Sequence, residues 1–218
     1  MKRCVIIGAA DIGRYDIARG YLRTGDIFVF CDGGLKHAES LGVTPDIIVG
    51  DFDSWEGELP ERENTGAEHL SVPEIIRLPR EKDDTDMFCA ARETVRRGFD
   101  EFVLLGAAGG RLDHTLGNVS VLLFLAKNGK KAVMADDFSE TEIVKAGEPA
   151  FISDKFSCFS VLNITGDTGK ITIEGAKYLL DNGIINCDWQ YGISNEPLPG
   201  ETAVVTVSHG ELLLVKVF

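Results

Sequence analysis

The chain has 218 residues, 44% of them hydrophobic and 26% charged, which is enough to bury a core and long enough for two small domains. A formal net charge of −13 argues against a nucleic-acid partner, because phosphate backbones are captured by basic patches. No apolar run is long enough to span a bilayer, and the start, Met1-Lys2-Arg3-Cys4-Val5-Ile6-Ile7-Gly8, has too short an apolar stretch for a secretory signal, so a cytoplasmic location and no membrane partner are expected.

Residues 4–8 are a continuous apolar run, as expected of a buried parallel strand. A helix is predicted over 12–22 and a strand over 27–31, which ends at Asp32-Gly33-Gly34. Residues 35–41 read as a short helix stopped by Gly42, and 46–50 as a strand ending at Asp51. Residues 55–74, rich in Glu, Gly and Pro, read as a surface excursion. A short strand over 75–78 is followed by the loop 79–84, and Asp84 or Thr85 can cap a helix running to about Arg97 with Phe88, Ala91 and Val95 on one face. A strand over 101–105 leads into Gly106-Ala107-Ala108-Gly109-Gly110-Arg111. The helix expected over 114–127 turns Leu116, Val119, Leu122, Leu123 and Ala126 inward, and residues 131–135 are the last strand of this half.

The pattern changes near Asp136. No further helix is evident, and β-rich runs at 142–145, 158–164, 170–174, 203–208 and 212–217 are separated by turn residues. Alternating β and α followed by all-β predicts two domains: a parallel-sheet α/β domain over 1–136 and an all-β domain over 137–218. The five cysteines are widely spaced and lack a Cys-x-x-Cys pair, so free and mostly buried thiols are expected. The four histidines are scattered and give no zinc pattern.

Acidic residues recur at the carboxyl ends of the expected strands: Asp32, then Asp51 and Asp53, then Asp83, Asp84 and Asp86, then Asp113. Ligands of open parallel sheets bind beyond those ends. Convergent carboxylates repel unless a cation joins them, and Mg²⁺ suits hard oxygen ligands that bridge to phosphates. Glycines beside the acids let backbone N–H groups approach a phosphate, and Lys82 and Arg111 supply cations in the same loops. A single Asp after a strand is as readily a turn or cap residue, and Asp84 fits that role best. The combination of Gly-Asp-Phe-Asp-Ser, Asp-Asp-Thr-Asp and Gly-Gly-Arg-Leu-Asp-His favours a metal–polyphosphate site.

These segments resemble the thiamine pyrophosphokinase (thiamine diphosphokinase) family. The matching stretches are Asp32-Gly33-Gly34, Gly50-Asp51-Phe52-Asp53-Ser54, Lys82-Asp83-Asp84-Thr85-Asp86 and Gly109-Gly110-Arg111-Leu112-Asp113-His114 with Asn118. Gly175-Ala176-Lys177-Tyr178-Leu179-Leu180 and Gly192-Ile193-Ser194-Asn195-Glu196 follow in the all-β half. The resemblance implies a Rossmann-like catalytic domain, a C-terminal β-sandwich that binds thiamine and dimerises, and a homodimer with sites at the subunit interface. It implies transfer of a diphosphate from ATP to the hydroxyl of thiamine, giving AMP, with Mg²⁺. Carried over, Asp51, Asp53 and Asp86 are metal ligands. Asp32, Gly33, Gly34, Lys82, Gly109 and Arg111 are on the ATP side. Asp83 and Asp113 join the catalytic set of Asp51, Asp53, Asp86 and Arg111, with the proton acceptor open between Asp83 and Asp113. Tyr178, Ser194 and Asn195 belong to thiamine, with Tyr178 offering an aromatic face to a partly cationic ligand. The 182–190 segment and the loop 9–13 depart from the family pattern, and Trp189 is expected in core or interface packing. Two other readings are a pyrophosphokinase for another hydroxymethyl heterocycle, such as a pterin, and a non-catalytic nucleotide or thiamine binder. Lys177-Tyr178 and Ser194-Asn195-Glu196 favour thiamine over the first, and the acidic set argues against the second.

Overall fold

The structure, a computed structural model, describes residues 1–52, 72–81, 83–166 and 168–218. The expected excursion over 55–74 therefore lies almost wholly outside the described residues, as do Asp53 and Lys82. The chain divides into two compact units, Met1–Asp137 and Phe138–Phe218.

In the first unit, β1 (Arg3–Ile7), β2 (Ile27–Cys31), β3 (Ile47–Gly50), β4 (Glu74–Arg77), β5 (Glu101–Leu105) and β6 (Lys131–Ala135) pair in parallel in the order β4-β3-β2-β1-β5-β6. Parallel strands covered on both faces need unbroken apolar runs, and Cys4 to Ile7 are fully buried. One face packs Val5, Ile7, Phe30, Ile48, Val103 and Leu105 against Ala18, Leu35 and Leu41. The helix α3 (Asp86–Arg96) lies on β1, β2 and β3, and α4 (Leu112–Lys127) lies on α3 and β6. Thr85 caps α3 by accepting the Phe88 N–H at 3.3 Å, with Asp86 in the first turn and Arg96 in the last to complement the helix dipole.

Three helix expectations change. The helix predicted over 12–22 is only α1 (Tyr15–Arg19). Gly13 and Arg14 give their N–H groups to the Asp137 carboxylate at 2.8 and 2.9 Å, which holds them outside the helix, and Gly20 closes it. The helix predicted over 35–41 starts earlier, as a 3-10 turn over Asp32–His37 that runs into α2 (Ala38–Leu41). In α4 the buried face is Asn118, Val121, Leu122, Leu125 and Ala126. Leu116 is 59% exposed rather than inward, because α4 meets both α3, through Phe124 against Phe88, and β6.

The second unit is built from antiparallel strands. β7 (Ser139–Lys145), β13 (Glu211–Val217) and β9 (Cys158–Leu162) pair in that order. A separate sheet runs β11 (Leu180–Gly183), β10 (Ile171–Glu174), β12 (Thr202–Val207), β8 (Ala150–Ser153). Alternate residues of both sheets, among them Val144, Ile152, Phe159, Val161, Ile173, Val205 and Leu214, share one apolar core. Strands β8 and β11 are additional to the sequence expectation. β8 is four residues with only Ala150 and Ile152 inward, and β11, Leu-Asp-Asn-Gly, has no β-forming composition and owes its pairing to β10. Lys216 is 6% exposed and lies across from β7, where it pairs with Glu140 and, at 2.8 Å, with Glu142.

All five cysteines are free, and Cys4, Cys31 and Cys89 are buried. Among the described residues no helix is long and apolar enough to cross a membrane.

Candidate active site

Winding from β1 outward through β2 and β3 to β4, and then back across β1 to β5, puts the point where strand order reverses between β1 and β5. Backbones crowd closely there. A Cβ on Gly8 would stand 2.5 Å from the Gly106 carbonyl oxygen, and one on Gly34 would strike the carbonyl oxygens of Ile7 and Gly8. Only glycine allows the turn after β2 and the loop after β5 to lie against the end of β1. The Gly8 N–H then donates to the Leu105 carbonyl at 2.8 Å and the Ala10 N–H to the Gly106 carbonyl at 3.0 Å.

Asp32 is the first residue after β2, 8% exposed, in a left-handed conformation with φ +35°. Gly50 presses against it, since a Cβ there would be 3.0 Å from that of Asp32. Asp51 follows β3 and is half-buried. Phe52 beside it has φ +61°, a costly conformation for an aromatic residue, and its ring lies 5.1 Å from the Arg77 guanidinium at the end of β4. Asp86 opens α3. Burial raises the Cys31 thiol well above its ordinary range, and the charges of Asp86 and Asp32 push it further. Cys31 is thereby held as a thiol. Asp83 is exposed, and Asp84, the expected cap or solvated charge, pairs with Arg92 at 2.8 Å while Thr85 does the capping. Among the described residues no three His, Cys, Asp or Glu side chains gather closely enough to hold a metal ion.

The glycine-rich loop after β5 is fastened to α4. The buried Asn118 donates to the Ala107 carbonyl at 2.6 Å, and the Gly109 N–H donates to Thr115 Oγ1 at 3.2 Å. Arg111 and Asp113 are exposed and paired at 2.5 Å. The hydrogen bond from Arg111 holds the Asp113 carboxyl down at about 2.

A second fastening joins the loop after β1 to the turn after β2. The imidazole of His37, 2% exposed, has its Nδ1 at 2.7 Å from the Tyr15 hydroxyl and its Nε2 at 2.9 Å from the Ala10 carbonyl oxygen. A carbonyl can only accept, so Nε2 carries the proton and Tyr15 donates to Nδ1. Burial lowers the His37 pKa, which favours this neutral form. On the outside, Lys36 pairs with Asp11 at 2.7 Å. Sequence reasoning did not single out His37, Tyr15 or Asp137, whose partners lie on distant segments of backbone or loop.

In the second unit, Asn195 is 4% exposed and its amide serves the backbone. Its Nδ2 donates to the Tyr178 carbonyl at 2.7 Å, and its Oδ1 accepts from the N–H groups of Tyr178 at 3.0 Å and Glu196 at 2.9 Å. The Tyr178 ring stands exposed with the Lys177 ammonium 5.6 Å from its centre, and Lys177 pairs with Glu196 at 2.8 Å. Ser194 has φ +59° and its N–H donates to Ser160 Oγ at 3.1 Å. Trp189, expected in core or interface packing, is outside the core at 67% exposed, and its ring lies 5.3 Å from that of Tyr191. Leu179, Ile184 and Ile193 are exposed in the same stretch of chain.

The family model "Thiamin pyrophosphokinase, catalytic domain" matches residues 18–134, and "Thiamin pyrophosphokinase, vitamin B1 binding domain" matches residues 150–212. The chain is 27% identical over 217 residues to the thiamine pyrophosphokinase of Bacillus subtilis, covering 99% of each chain. A crystal structure of thiamine pyrophosphokinase from Bacillus subtilis superposes with a TM-score of 0.83 at 24% identity, again over 99% of both chains. The yeast thiamin pyrophosphokinase structure gives 0.74 at 17% identity, covering 100% of this chain and 86% of the other. At these identities the superpositions speak for the fold.

Proposed function

The chain belongs to the thiamine pyrophosphokinase family, and on that premise we propose that it transfers the diphosphate of ATP to the hydroxyl of thiamine, releasing AMP, with Mg²⁺ as the metal. The observation that carries this reading is the match of both family models in order, 18–134 then 150–212, over a chain whose Asp32 and Asp51 stand at the carboxyl ends of β2 and β3. The parallel sheet is counted as Rossmann-like from its strand order and switch point, and the two-sheet unit as the β-sandwich that takes thiamine. The pterin-type pyrophosphokinase and the pure binder are not favoured by this family assignment.

The donor chemistry fits Mg²⁺: Asp51 and Asp86 offer hard carboxylate oxygens, and burial keeps the Cys31 thiol protonated. Asp51 and Asp86, with Asp53 outside the described residues, are the proposed ligands. When bound, Mg²⁺ supplies charge neutralisation on phosphate oxygens. The chain's own residues do the rest. Asp32, Gly33, Gly34 and Gly109 are the proposed ATP side, where backbone N–H groups would meet phosphate oxygens. Arg111 exchanges Asp113 for the transferred group or the leaving AMP, and Lys82, outside the described residues, is proposed to stabilise the same charge. Asp83 and Asp113 are the two carboxylates proposed to take the thiamine hydroxyl proton, Asp113 once Arg111 has left it for phosphate. In-line transfer of this kind needs positioning and charge neutralisation and no covalent nucleophile.

Tyr178 and Ser194 are the proposed thiamine contacts, with the buried Asn195 bracing the Tyr178 backbone. The exposed Leu179, Ile184, Trp189, Tyr191 and Ile193 support a homodimer with sites at the subunit interface. Mixing protein, ATP, Mg²⁺ and thiamine should give AMP and thiamine diphosphate in equal amounts. ADP in place of AMP, or no thiamine-dependent product, would overturn the reading. Light scattering should return twice the 23.7 kDa chain mass for the dimer.

A further inference from the structure

We propose that His37 is a positioning residue for ATP, acting through the Ala10 carbonyl to hold the loop after β1 against the turn that carries Asp32, Gly33 and Gly34. The inference rests on the reading of this end of the sheet as the nucleotide side. Four observations carry it. The imidazole is 2% exposed and both ring nitrogens are engaged, by Tyr15 at 2.7 Å and Ala10 at 2.9 Å, so one tautomer satisfies both bonds. The residues it joins belong to three separate segments: Ala10 in the loop after β1, Tyr15 at the start of α1, and His37 at the end of the 3-10 turn. The turn and the loop also touch backbone to backbone, since a Cβ on Gly34 would meet the Ile7 and Gly8 oxygens and one on Gly33 would come 3.3 Å from the Ala9 Cβ. Beyond Ala10, the same loop is held by Asp137 at the Gly13 and Arg14 amides.

Loop and turn therefore form one fastened piece beside the switch point, with the His37 ring as its buried pin. Without the Nε2–H donor, the Ala10 carbonyl loses its imidazole partner and the loop its tie to the Asp32 turn. Ala10, Tyr15, His37 and Asp137 all belong to the first unit, on the proposed nucleotide side, so the effect is expected on ATP.

Two amides separate the two bonds. A glutamine amide nitrogen occupies the place of Nε2, and an asparagine amide reaches only the place of Nδ1. His37→Gln keeps the donor to Ala10, whereas His37→Asn loses it and keeps a partner for Tyr15. In the full chain, with thiamine saturating, H37N should raise KM for ATP about tenfold, the scale of one buried hydrogen bond lost. KM for thiamine should stay within about twofold, and H37Q and Y15F, which give up the Tyr15 bond but keep the donor to the Ala10 carbonyl, should stay within about threefold for both substrates. Titration calorimetry of ATP with MgCl₂ and no thiamine should show the same order of affinities, and it needs no turnover. Unchanged ATP binding in a folded H37N, equal rises in both KM values, or an ATP affinity in H37Q as poor as in H37N would each overturn the proposal. If H37N does not fold, H37Q decides, since a tenfold loss of ATP affinity there contradicts the Ala10 route. If wild type binds ATP but makes no thiamine diphosphate, the functional reading fails while the positioning test still stands. If wild type binds no ATP, the positioning role fails with it.

Discussion

Asn195→Ala tests whether the second unit's binding surface is built from the inside. The side chain is 4% exposed and makes three hydrogen bonds, one donated to the Tyr178 carbonyl and two accepted from the N–H groups of Tyr178 and Glu196. Truncation leaves all three backbone groups without that partner. At about 1 kcal/mol for each intramolecular hydrogen bond, and with water reaching the exposed Tyr178 side, the expected loss is about 2–3 kcal/mol. For a chain of this length 1 kcal/mol moves the melting temperature by about 2–4 °C, so Asn195→Ala should melt about 4–12 °C lower by calorimetry. The same truncation frees the Tyr178 backbone, so KM for thiamine should rise while KM for ATP holds. A variant melting within about 1 °C of wild type would mean that the three bonds contribute almost nothing net, and the account of Asn195 as an internal brace would be wrong. A variant of unchanged stability with a raised thiamine KM would return Asn195 to direct contact with the substrate.

Three further predictions follow from other parts of the molecule. Asp51→Asn should abolish most turnover with the fold intact by circular dichroism, and near wild-type rates at saturating Mg²⁺ would remove Asp51 from the metal. In Arg111→Ala, Asp113 should titrate by NMR near the ordinary carboxylate value of about 4 instead of about 2. Its native pKa is depressed, so its stabilising pairing is present above the unfolded value and is lost as pH falls through about 2. An Asp113 still titrating near 2 without Arg111 would assign the shift to another cause. Lys216→Met should destabilise the second unit by about 3–5 kcal/mol in urea, because Glu140 and Glu142, two apart on β7, then both lose the Lys216 ammonium. For Lys216, burial alone lowers the pKa, but attraction to Glu142 and Glu140 prevails and raises it. Its contribution is thus full below the unfolded lysine value and is lost as pH climbs through the raised native one.

Strands and loops differed in how far they could be read from residues alone. β2, β5 and β6 are apolar runs closed by Asp, Gly or polar residues, and their observed bounds, Ile27–Cys31, Glu101–Leu105 and Lys131–Ala135, are those expected from the pattern. The positions of Asp32 after β2 and Asp51 after β3 followed in the same way, because a residue that ends a parallel strand is fixed by the strand. α1 was overlong in the reading because its start is set by Asp137, more than a hundred residues away. β11 was invisible because Leu-Asp-Asn-Gly carries no strand preference. The amide of Asn195 and the ring of His37 belong to the same class. Each side chain binds backbone on another segment, and backbone leaves no mark in residue identity. Asp53 and Lys82 lie outside the described residues.

The exposed Trp189 makes the molecule its own optical probe. The chain has two tryptophans, and Trp55→Phe would leave Trp189 as the single indole emitter. A ring 67% open to water and 5.3 Å from Tyr191 emits from a polar environment and can take up excitation from its neighbour. Anything that settles on that stretch of the second unit, a flat heterocycle or another copy of the chain, must strip water from the indole. Emission would then shift to the blue and become harder for iodide to quench. Dilution series and ligand titrations could be followed on one fluorimeter, with concentration dependence separating the two events and no label attached.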